Sequence, residues 1–576
     1  MKLCITKSKN AESFYISKSY RNNDGKSTTK TVRKLGTLSE LTKKLNTDRD
    51  GVIAWAKEQV ILETEKYKEE KEAKIVTINF NADQELDYNQ KKFFIGGYLI
   101  PQSFYHDLKL DYICKRIKAK HRFKYDLNAI LSDLIYTRIL EPSSKRSSFK
   151  TAQNFLEAPT YDLQDLYRAL PIIGQECDYI QSEVYKNSLL TTKRQNKILL
   201  YDCTNYYFEI DQEDELRKYG KSKEHRPNPI IQMGMFTDGD GIPLAFSLFP
   251  GNQNEQKSLK PLEEKVIKDF GCEKFIYCSD AGLGSEANRE FNNIGNRKFI
   301  VTQSIKKLKN DEKEWAIDTK GFIRMSDRKK IDDIKNIPLD DTDLYFKELP
   351  YTPKKTDQLL IVTYSPKYAA YQKAVRDNQV ARAEAMIAAG KHKKQRKNPN
   401  DPARFINTVS ITNEGEVATK KEYHIDKDKI AEETKYDGLY AVCTNLLDDD
   451  VADILKVSEG RWQIEACFRN LKTEFSAQPV YVRLEDCIKA HFLVCFLSLI
   501  IFKLLEKKLK KKYTCDEILD ALKSYNFADI EEQGYIPLYE RTKIIDDIHN
   551  VCGFRTDYRF ITKQKMKSIE KDSKRH

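Results

Sequence analysis

The sequence has few of the features that mark secreted, zinc-binding or membrane-spanning proteins. Its 12 cysteines are scattered without a CxxC pair, so neither a zinc ribbon nor a disulfide framework is expected. The first 21 residues are polar and alternating and hold no apolar core of the signal-peptide type. The most apolar run, FLVCFLSLIIF at 492–502, is too short to span a bilayer and is typical of a buried helix. We therefore expect a soluble, cytoplasmic protein with no membrane partner.

Charge and length limit the class of protein further. The sequence has 99 Lys and Arg against 87 Asp and Glu, a formal charge of +12. This modest basic excess is compatible with a nucleic-acid partner but does not require one. A chain of 576 residues is too long for one core, so several domains are expected. No internal repeat is evident.

Changes of pattern along the chain predict six segments. Strand-like runs surround the turn NNDGK at 22–26, and helical periodicity dominates from about residue 90. For the helical stretch, DNA contact and plain packing are both open. The predicted segments are a small β-rich module with a helical tail (1–85), a helical domain (86–195), a first core part (196–305), a β-rich insertion (306–434), a second core part (435–510) and a basic helical C-terminal segment (511–576). The basic loop KHKKQRKNPNDP of the insertion is expected to be solvated, although it could touch phosphates.

The order of strand and helix signals after residue 196 predicts the fold class. KILLYDCTNYYFEI reads as a strand, and two further strands flank the hairpin signal DGDG. A helix, the buried strand EKFIYCSD, a second helix and the strand RKFIVTQ follow. A three-stranded meander followed by helix, strand, helix and strand is the order of a ribonuclease-H-like core. We therefore predict an α/β fold with a mixed sheet flanked by helices and interrupted by the insertion.

Two acidic residues occupy unusual places in these strands. Asp202 lies inside the first apolar strand, and Asp280 ends the fourth. A carboxylate in an apolar strand is costly unless it is paired or binds a metal, although a strand-end aspartate is often only a turn or a helix cap. Because the first and fourth strands are neighbours in this order, the two carboxylates are expected to converge.

A third acid lies in the stretch RWQIEACFRNLKTEF. Wound as a helix at about 100° per residue, it brings Arg461, Glu465, Arg469 and Lys472 onto one narrow stripe. One carboxylate bracketed by three cations is compatible with a reactive site. A solvated helix face with salt bridges is the commoner explanation of such a pattern. The residues of this stretch alone leave both interpretations open.

Together, Asp202, Asp280 and Glu465 would form an oxygen-rich ligand set. Such ligands suit Mg²⁺, with Mn²⁺ as a substitute, and two ions per site can stabilise the attacking and leaving oxygens of a phosphoryl displacement. Arg461 and Lys472 would then hold the phosphates beside the scissile one.

These residues resemble a known family. The chain is similar to DDE-type insertion-sequence transposases of the branch with a tyrosine-arginine-glutamate-lysine signature, in which arginine stands four residues before the catalytic glutamate and lysine seven after it. Arg461, Glu465 and Lys472 match that spacing, whereas Ser458 stands where the tyrosine is expected. The blocks YDCTNYYFE, SDAGLGSEAN and YDGLYAVCTN match as well, and the resemblance covers about residues 1–510.

The resemblance implies Mg²⁺-dependent cleavage at transposon ends and transfer of the 3′-hydroxyl strand into target DNA. It also implies a homodimer on paired inverted-repeat ends. Low alanine with abundant Lys, Asn and Ile suggests an AT-rich bacterial genome, so we expect the protein to lie in the bacterial cytoplasm, associated with the nucleoid. The implied catalytic and metal-binding residues are Asp202, Asp280 and Glu465. The expected DNA contacts are Arg461, Lys472, Arg469, Thr204, which could equally only fit its strand, and His225 and Arg226 in a loop.

Two competing functions stay open. A metal-dependent nuclease on the same core would cut DNA without joining it, and a DNA-binding protein that has lost catalysis would keep only the scaffold. Ser458 is the feature that supports lost catalysis, whereas the spacing of Arg461 and Lys472 around Glu465 favours the transposase. Trp462 and Phe468 are expected to pack in the core rather than to stack on bases.

Overall fold

The computed structural model describes the whole chain except residues 9–10, 22–26, 73–76, 78–82, 84, 86, 354–355, 391–399, 411–420, 531–532 and 576. The turn predicted at 22–26 and most of the predicted basic loop lie outside the described residues. The chain divides into two units, Met1–Gln90 and Lys91–His576.

The first unit is a three-stranded antiparallel sheet with two helices against it. Phe14, Leu41, Val52 and Ala56 form its core, which draws on the sheet and on both helices. Its elements are β1 (Lys2–Lys7), β2 (Glu12–Arg21), β3 (Ser27–Thr37), α1 (Leu38–Leu45) and α2 (Arg49–Glu72), with the strands in the order β1-β2-β3.

The second unit begins with a helical region, as the periodicity predicts. Asp126 and Ser144 cap two of the helices, because each side chain accepts a backbone N–H of the first turn. The elements are β4 (Phe93–Ile95), α3 (Leu99–Asp107), α4 (Leu110–Lys120), α5 (Leu127–Leu140), α6 (Lys145–Ala152), α7 (Leu163–Gln175) and α8 (Cys177–Thr191).

The elements of the first core part follow in the predicted order. Its elements are β5 (Ile198–Tyr207), β6 (Ile230–Asp238), β7 (Pro243–Pro250), α9 (Leu259–Phe270), β8 (Ile276–Ser279), α10 (Glu286–Phe291) and β9 (Lys298–Thr302). The first three strands form an antiparallel meander, β8 pairs with β5 in parallel, and β9 pairs with β8 in parallel. The predicted ribonuclease-H-like order and the neighbouring first and fourth strands are confirmed.

The region predicted as an insertion contains strands and also substantial helix. Its described elements are α11 (Asn310–Ile317), β10 (Ile323–Arg324), β11 (Tyr345–Tyr351), β12 (Gln358–Tyr364), α12 (Pro366–Ala388), β13 (Ile406–Ser410), β14 (Lys421–Ile425) and α13 (Lys427–Thr434). The first three strands extend the main sheet, and β13 and β14 form a separate hairpin.

The second part of the core completes the sheet and covers one of its faces. It comprises β15 (Leu439–Thr444), α14 (Val451–Glu459), α15 (Trp462–Lys472) and α16 (Glu485–Lys508). Strand β15 lies between β12 and β9, which gives a nine-stranded sheet in the order β10-β11-β12-β15-β9-β8-β5-β6-β7.

Helix α16 contains the apolar run noted in the sequence. At 24 residues it is longer than that run, and by length and composition alone it could cross a membrane. However, 89 % of its most apolar window is buried inside the fold, where it packs against α5 and α7. The predicted buried helix is therefore confirmed.

The described part of the C-terminal segment contains three strands besides the helices that we predict. Its elements are α17 (Cys515–Ser524), β16 (Asn526–Ile530), β17 (Gly534–Pro537), α18 (Lys543–Cys552), β18 (Ile561–Thr562) and α19 (Lys563–Asp572). Its strands form a sheet in the order β18-β17-β16-β4, because the distant Phe93–Ile95 pairs with β16. Such a long-range pairing leaves little trace in local periodicity.

Candidate active site

Asp202 and Asp280 lie side by side on one face of the main sheet. Leu200 of β5 pairs with Cys278 of β8 in a parallel ladder, and each aspartate stands two residues further along its strand direction. Side chains two residues apart along a strand point to the same face. Asp280 follows the last residue of β8, at the carboxyl edge where open α/β sheets bind ligands. The predicted convergence of the two acids is therefore supported by the strand register.

The environment of Asp202 favours a nearby cation. Burial raises the pKa of its carboxyl group to about 6, while Lys223 and the Cys203 N–H lower it and the neighbouring Asp280 carboxylate raises it. The Cys203 N–H donates to Asp202 Oδ1 at 2.7 Å. A partly buried carboxylate beside a second one is costly, and a bound cation would relieve that cost.

Two charged residues of this site were missed by sequence reasoning. Glu255 contributes to the raised pKa of Asp202, and Lys223 Nζ lies 3.2 Å from Glu255 Oε1. Burial lowers the pKa of Lys223, but the carboxylates of Asp202 and Glu255 raise it overall. The side chain of Asn205 fixes the Lys223 loop, because its Oδ1 accepts the Lys223 N–H at 3.2 Å.

A signal for Glu255 was present in the strand order. Strand β7 is antiparallel to β6 and therefore runs parallel to β5, so the residues after β7 return to the edge that carries Asp202. The polar sequence NQNEQK, which contains Glu255, comes directly after β7. For Lys223 we find no comparable signal.

A second row of polar groups continues from Asp280 toward β15. Thr302 is the last residue of β9 and pairs with Val442 of β15. Tyr440 is two residues before Val442 on β15, so its side chain lies on the same face of the sheet as Thr302. The hydroxyl oxygens of Thr302 and Tyr440 are 2.7 Å apart, and the Tyr440 hydroxyl is 3.4 Å from Ser458 Oγ. Arg461 Nη1 donates to Thr302 Oγ1. A hydrogen-bonded network thus joins Arg461 to the carboxyl edge of the sheet.

Helix α15 carries the predicted charged stripe across the face that holds Asp202. It packs on β5, and its buried Ile464, Cys467, Phe468 and Leu471 belong to the same core cluster as Leu200. Glu465 and Arg469 of this helix are exposed. Among the ion pairs of the described residues, none joins Glu465 to a cation of its own helix, whereas Lys472 of the same stripe is paired with Glu224.

Lys472, at the end of α15, already has a protein partner. Its Nζ lies 2.9 Å from Glu224 Oε1 and 5.5 Å from the ring centre of Tyr206 on β5. Gln478 Nε2 donates to the same Glu224 oxygen at 2.7 Å. These contacts tie the loop before β6 to the segment after α15.

The other predicted contacts are spread around this edge. Thr204 is buried on the face of Asp202, while His225 and Arg226 are exposed in the loop before β6. The Arg226 guanidinium stacks on the ring of Tyr207 at 4.2 Å.

The prediction for two aromatic residues of α15 is half right. Phe468 is buried as expected, but Trp462 is 61 % exposed, and the prediction that it packs in the core was wrong. Trp462 is the first residue of α15, and at about 100° per residue it falls on the side of the helix away from the buried Ile464, Cys467, Phe468 and Leu471.

The three predicted acids do not form a closed cluster. Within the described part of the chain, the set of three metal-ligating groups that lie within 4.8 Å of one another is Asp546, His549 and Asp557. Asp546 and Asp557 are already paired with Arg541 and Arg555, which marks that group as an ion-pair network. Asp202 and Asp280, by contrast, offer hard oxygen ligands in a neighbouring pair, which fits a divalent cation.

The sequence matches the family described as transposase DDE domain over residues 193–501, more than half of the chain. Among solved structures, the synaptic complex of piggyBac transposase with hairpin DNA is similar with a TM-score of 0.36 and 8 % identity, over 83 % of this chain and 90 % of that chain. No curated protein gives a significant match. Because the family match spans both acid-bearing strands and the helix of Glu465, the chain belongs to the DDE transposases, enzymes that cleave and join DNA with divalent metal ions.

Proposed function

We propose that Asp202, Asp280 and Glu465 are the catalytic carboxylates, that they hold two Mg²⁺ ions, and that Mn²⁺ can substitute. The observation that carries this proposal is the register of Asp202 and Asp280 on one face of neighbouring parallel strands, beneath the helix of Glu465. Glu465 is exposed and has three rotatable side-chain bonds, so it can turn toward the pair when DNA and metal bind.

The metal ions would activate a water or 3′-hydroxyl oxygen and stabilise the leaving oxygen of the scissile phosphodiester. The protein residues supply the ligands and fix the strand. Arg461 reaches the site from its anchor on Thr302, and the exposed Arg469 lies along the same face of α15. His225, Arg226 and Thr204 are assigned to more peripheral contacts with the DNA.

Lys472 contacts a phosphate next to the scissile one. To do so it must exchange Glu224 for that phosphate, since its side chain is only 17 % exposed and lies 2.9 Å from the Glu224 carboxylate. Such an exchange also frees the loop that carries His225 and Arg226, which couples DNA binding to a change in that loop.

Tyr440 compensates for the serine at position 458. Its hydroxyl lies beside Ser458 Oγ and holds Thr302, which in turn holds Arg461. Tyr440 is therefore a positioning residue, and its presence favours an active enzyme over a DNA-binding protein that has lost catalysis.

The partner is DNA with the inverted repeats of the element, bound by a homodimer that pairs two ends in the bacterial cytoplasm. The test is cleavage of labelled DNA that carries the repeats flanking the gene, with and without Mg²⁺, by the wild type and Glu465→Gln. We expect Mg²⁺-dependent nicking at the repeat ends by the wild type and none by the variant. Binding without cleavage by both proteins would refute the catalytic assignment.

A second assay separates the transposase from a nuclease. Pre-cleaved ends with a 3′-hydroxyl are incubated with a supercoiled plasmid and Mg²⁺, and joined products are sequenced. Insertions flanked by short target duplications are expected for a transposase. Efficient cleavage of the ends with no joined product would favour the nuclease.

A further inference from the structure

A basic cavity lies next to the segment that follows α15. It has a volume of about 570 Å³. Its lining residues come from the end of α5, the start of α6, helix α16 and the segment between α15 and α16. Arg138, Lys145 and His491 are among its lining residues, together with serines from positions 143–147. No acidic side chain lines it among the described residues. The catalytic assignment above makes no use of this cavity.

The two cations of the cavity are buried without a counter-ion. Arg138 is 3 % exposed and Lys145 is 6 % exposed, and neither takes part in an ion pair among the residues that the structure describes. Removing a charge from water without an opposite charge is expensive, so such a pair of cations is rarely retained for stability alone.

Each of the two cations has an N–H group without an acceptor in the described part of the fold. Arg138 donates to the backbone carbonyls of Phe475, Ser476 and Ser143 at 3.2, 3.3 and 3.0 Å, but its buried Nε–H has no acceptor. Lys145 Nζ lies 3.0 Å from His491 Nδ1. An ammonium group has three N–H donors, and this contact uses one of them.

The neutral state of His491 fixes the direction of its hydrogen bond with Lys145. Burial lowers its pKa well below the ordinary value, with Lys145 and Arg138 adding to the effect. Its Nε2 lies 2.9 Å from the Ala477 carbonyl oxygen, which can only accept, so Nδ1 of the neutral ring accepts from Lys145. Lys145 is thus held in place at the cavity by an uncharged partner.

The start of α6 adds neutral donors to the same cavity. Ser144 is the N-cap of this eight-residue helix and accepts the Ser147 N–H at 3.2 Å. Free N–H groups at a helix start, serine hydroxyls and nearby cations are the groups that bind phosphate oxygens.

The cavity adjoins the predicted DNA path. Gln478 lines it and donates to Glu224, the carboxylate that also holds Lys472. Two tyrosines of the cavity lining, Tyr167 and Tyr481, are 46 % and 68 % exposed. A strand that binds at Lys472 can therefore continue to this cavity.

We propose that the cavity formed by Arg138, Lys145 and the start of α6 binds one phosphodiester group of a DNA strand that also contacts Lys472. The route past Lys472 rests on the function proposed above, whereas the binding of a phosphate group in the cavity does not.

The test measures DNA binding in EDTA, so that it is independent of cleavage. Fluorescence anisotropy of a labelled repeat-end duplex is recorded from 50 to 200 mM salt for the wild type, Lys145→Met and the control Lys150→Met. Lys150 is an exposed lysine on the same helix and does not line the cavity. For Lys145→Met we expect binding weaker by about tenfold or more and a salt slope smaller by about 0.9, the value for one phosphate contact. The control should match the wild type.

Ser144→Asp is the second variant, because aspartate is also a good N-cap and leaves α6 intact. Its carboxylate would occupy the rim of the cavity and repel phosphate, so a loss of DNA affinity similar to that of Lys145→Met is expected. Wild-type salt slopes and affinities in both cavity variants would overturn the proposal.

Inorganic phosphate, used as a probe, distinguishes a cavity that binds a phosphate group of DNA from one that binds a free anion. If phosphate raises the melting temperature of the wild type but not of Lys145→Met, and DNA affinity also falls, the cavity binds the DNA backbone. If phosphate stabilises only the wild type and DNA binding is unchanged in the variants, the cavity is a site for free anions and the DNA assignment fails. Loss of cleavage in Glu465→Gln with normal binding here would leave this proposal intact.

Discussion

Replacing Tyr440 by phenylalanine tests the network that positions Arg461. The change removes one hydroxyl and keeps the ring, so the 2.7 Å contact with Thr302 and the 3.4 Å contact with Ser458 are lost together. A neutral hydrogen bond contributes about 1 kcal/mol, which corresponds to a factor of about five in rate if it acts wholly on the transition state. We expect the single-turnover cleavage rate to fall by about fivefold, with little change in DNA affinity.

A double-mutant cycle shows whether Tyr440 acts through Thr302. Thr302→Val keeps the side-chain shape but removes the oxygen that accepts from Arg461, a charge-assisted bond of about 1.5–3 kcal/mol, or roughly ten- to hundredfold in rate. If Tyr440 only orients Thr302, the double variant should cleave as slowly as Thr302→Val and no slower. Tyr440 is 37 % exposed, so water can replace its lost bonds and the melting temperature should hardly change.

Two results would refute this reasoning. A Tyr440→Phe enzyme with the wild-type cleavage rate would show that the hydroxyl has no part in positioning. Multiplicative losses in the double variant would show that Tyr440 acts on the DNA or on Ser458 independently of Thr302. Cleavage is measured with saturating protein and Mg²⁺, so that differences in binding do not enter the rate.

Three further predictions concern stability and binding. Arg194 and Asp238 form an ion pair with both side chains fully buried, so Arg194→Met should lower the unfolding free energy by about 3–5 kcal/mol in a denaturant titration. Trp462→Ala should weaken binding of single-stranded DNA by about 1–3 kcal/mol without changing the melting temperature, because the ring is exposed. Burial lowers the pKa of Lys145 from 10.5 to about 7, with Arg138 adding to the effect, so the unfolded state binds more protons between those values. Stability should therefore rise with pH across that window, and Lys145→Met should remove this rise.

Each of these has a clear contrary outcome. Wild-type stability of Arg194→Met would mean that the β6–β7 hairpin does not depend on the pair. Unchanged binding of single-stranded DNA by Trp462→Ala would show that the exposed ring does not contact the DNA. The same pH dependence in Lys145→Met and wild type would show that another group titrates in this range.

Much of the core could be predicted because its signals are local. The strands around Asp202 and Asp280 are short apolar runs separated by turn residues, and the run at 492–502 is apolar on every side, which suits the buried α16. The pairing of Phe93–Ile95 with β16 could not be predicted this way. It joins strands more than 400 residues apart, and its energy comes from tertiary contacts that neither segment shows alone.

The residues of the site likewise include some that local sequence spacing predicts and others that only the fold brings together. Helical spacing predicts that Arg461, Glu465 and Lys472 share one stripe, because the period of a helix fixes which side chains share a face. The spacing said nothing about Glu224, which now holds Lys472, since that residue comes from a loop about 250 positions earlier. Partners of this kind depend on how loops return to the sheet edge.

The direction of the strands would have identified one of the site residues that the sequence analysis missed. Once β5, β6 and β7 are taken as a meander, the chain must return to the Asp202 edge after β7, and a polar residue there becomes a site candidate. Glu255 meets that condition and shifts the pKa of Asp202. The cavity formed by Arg138, Lys145 and the start of α6 meets no such condition, because α6 precedes the sheet and contacts α16 through Lys145 and His491. A buried cation without a carboxylate partner is visible only once the fold is known, which is why a search for function in this chain has to go beyond its catalytic motif.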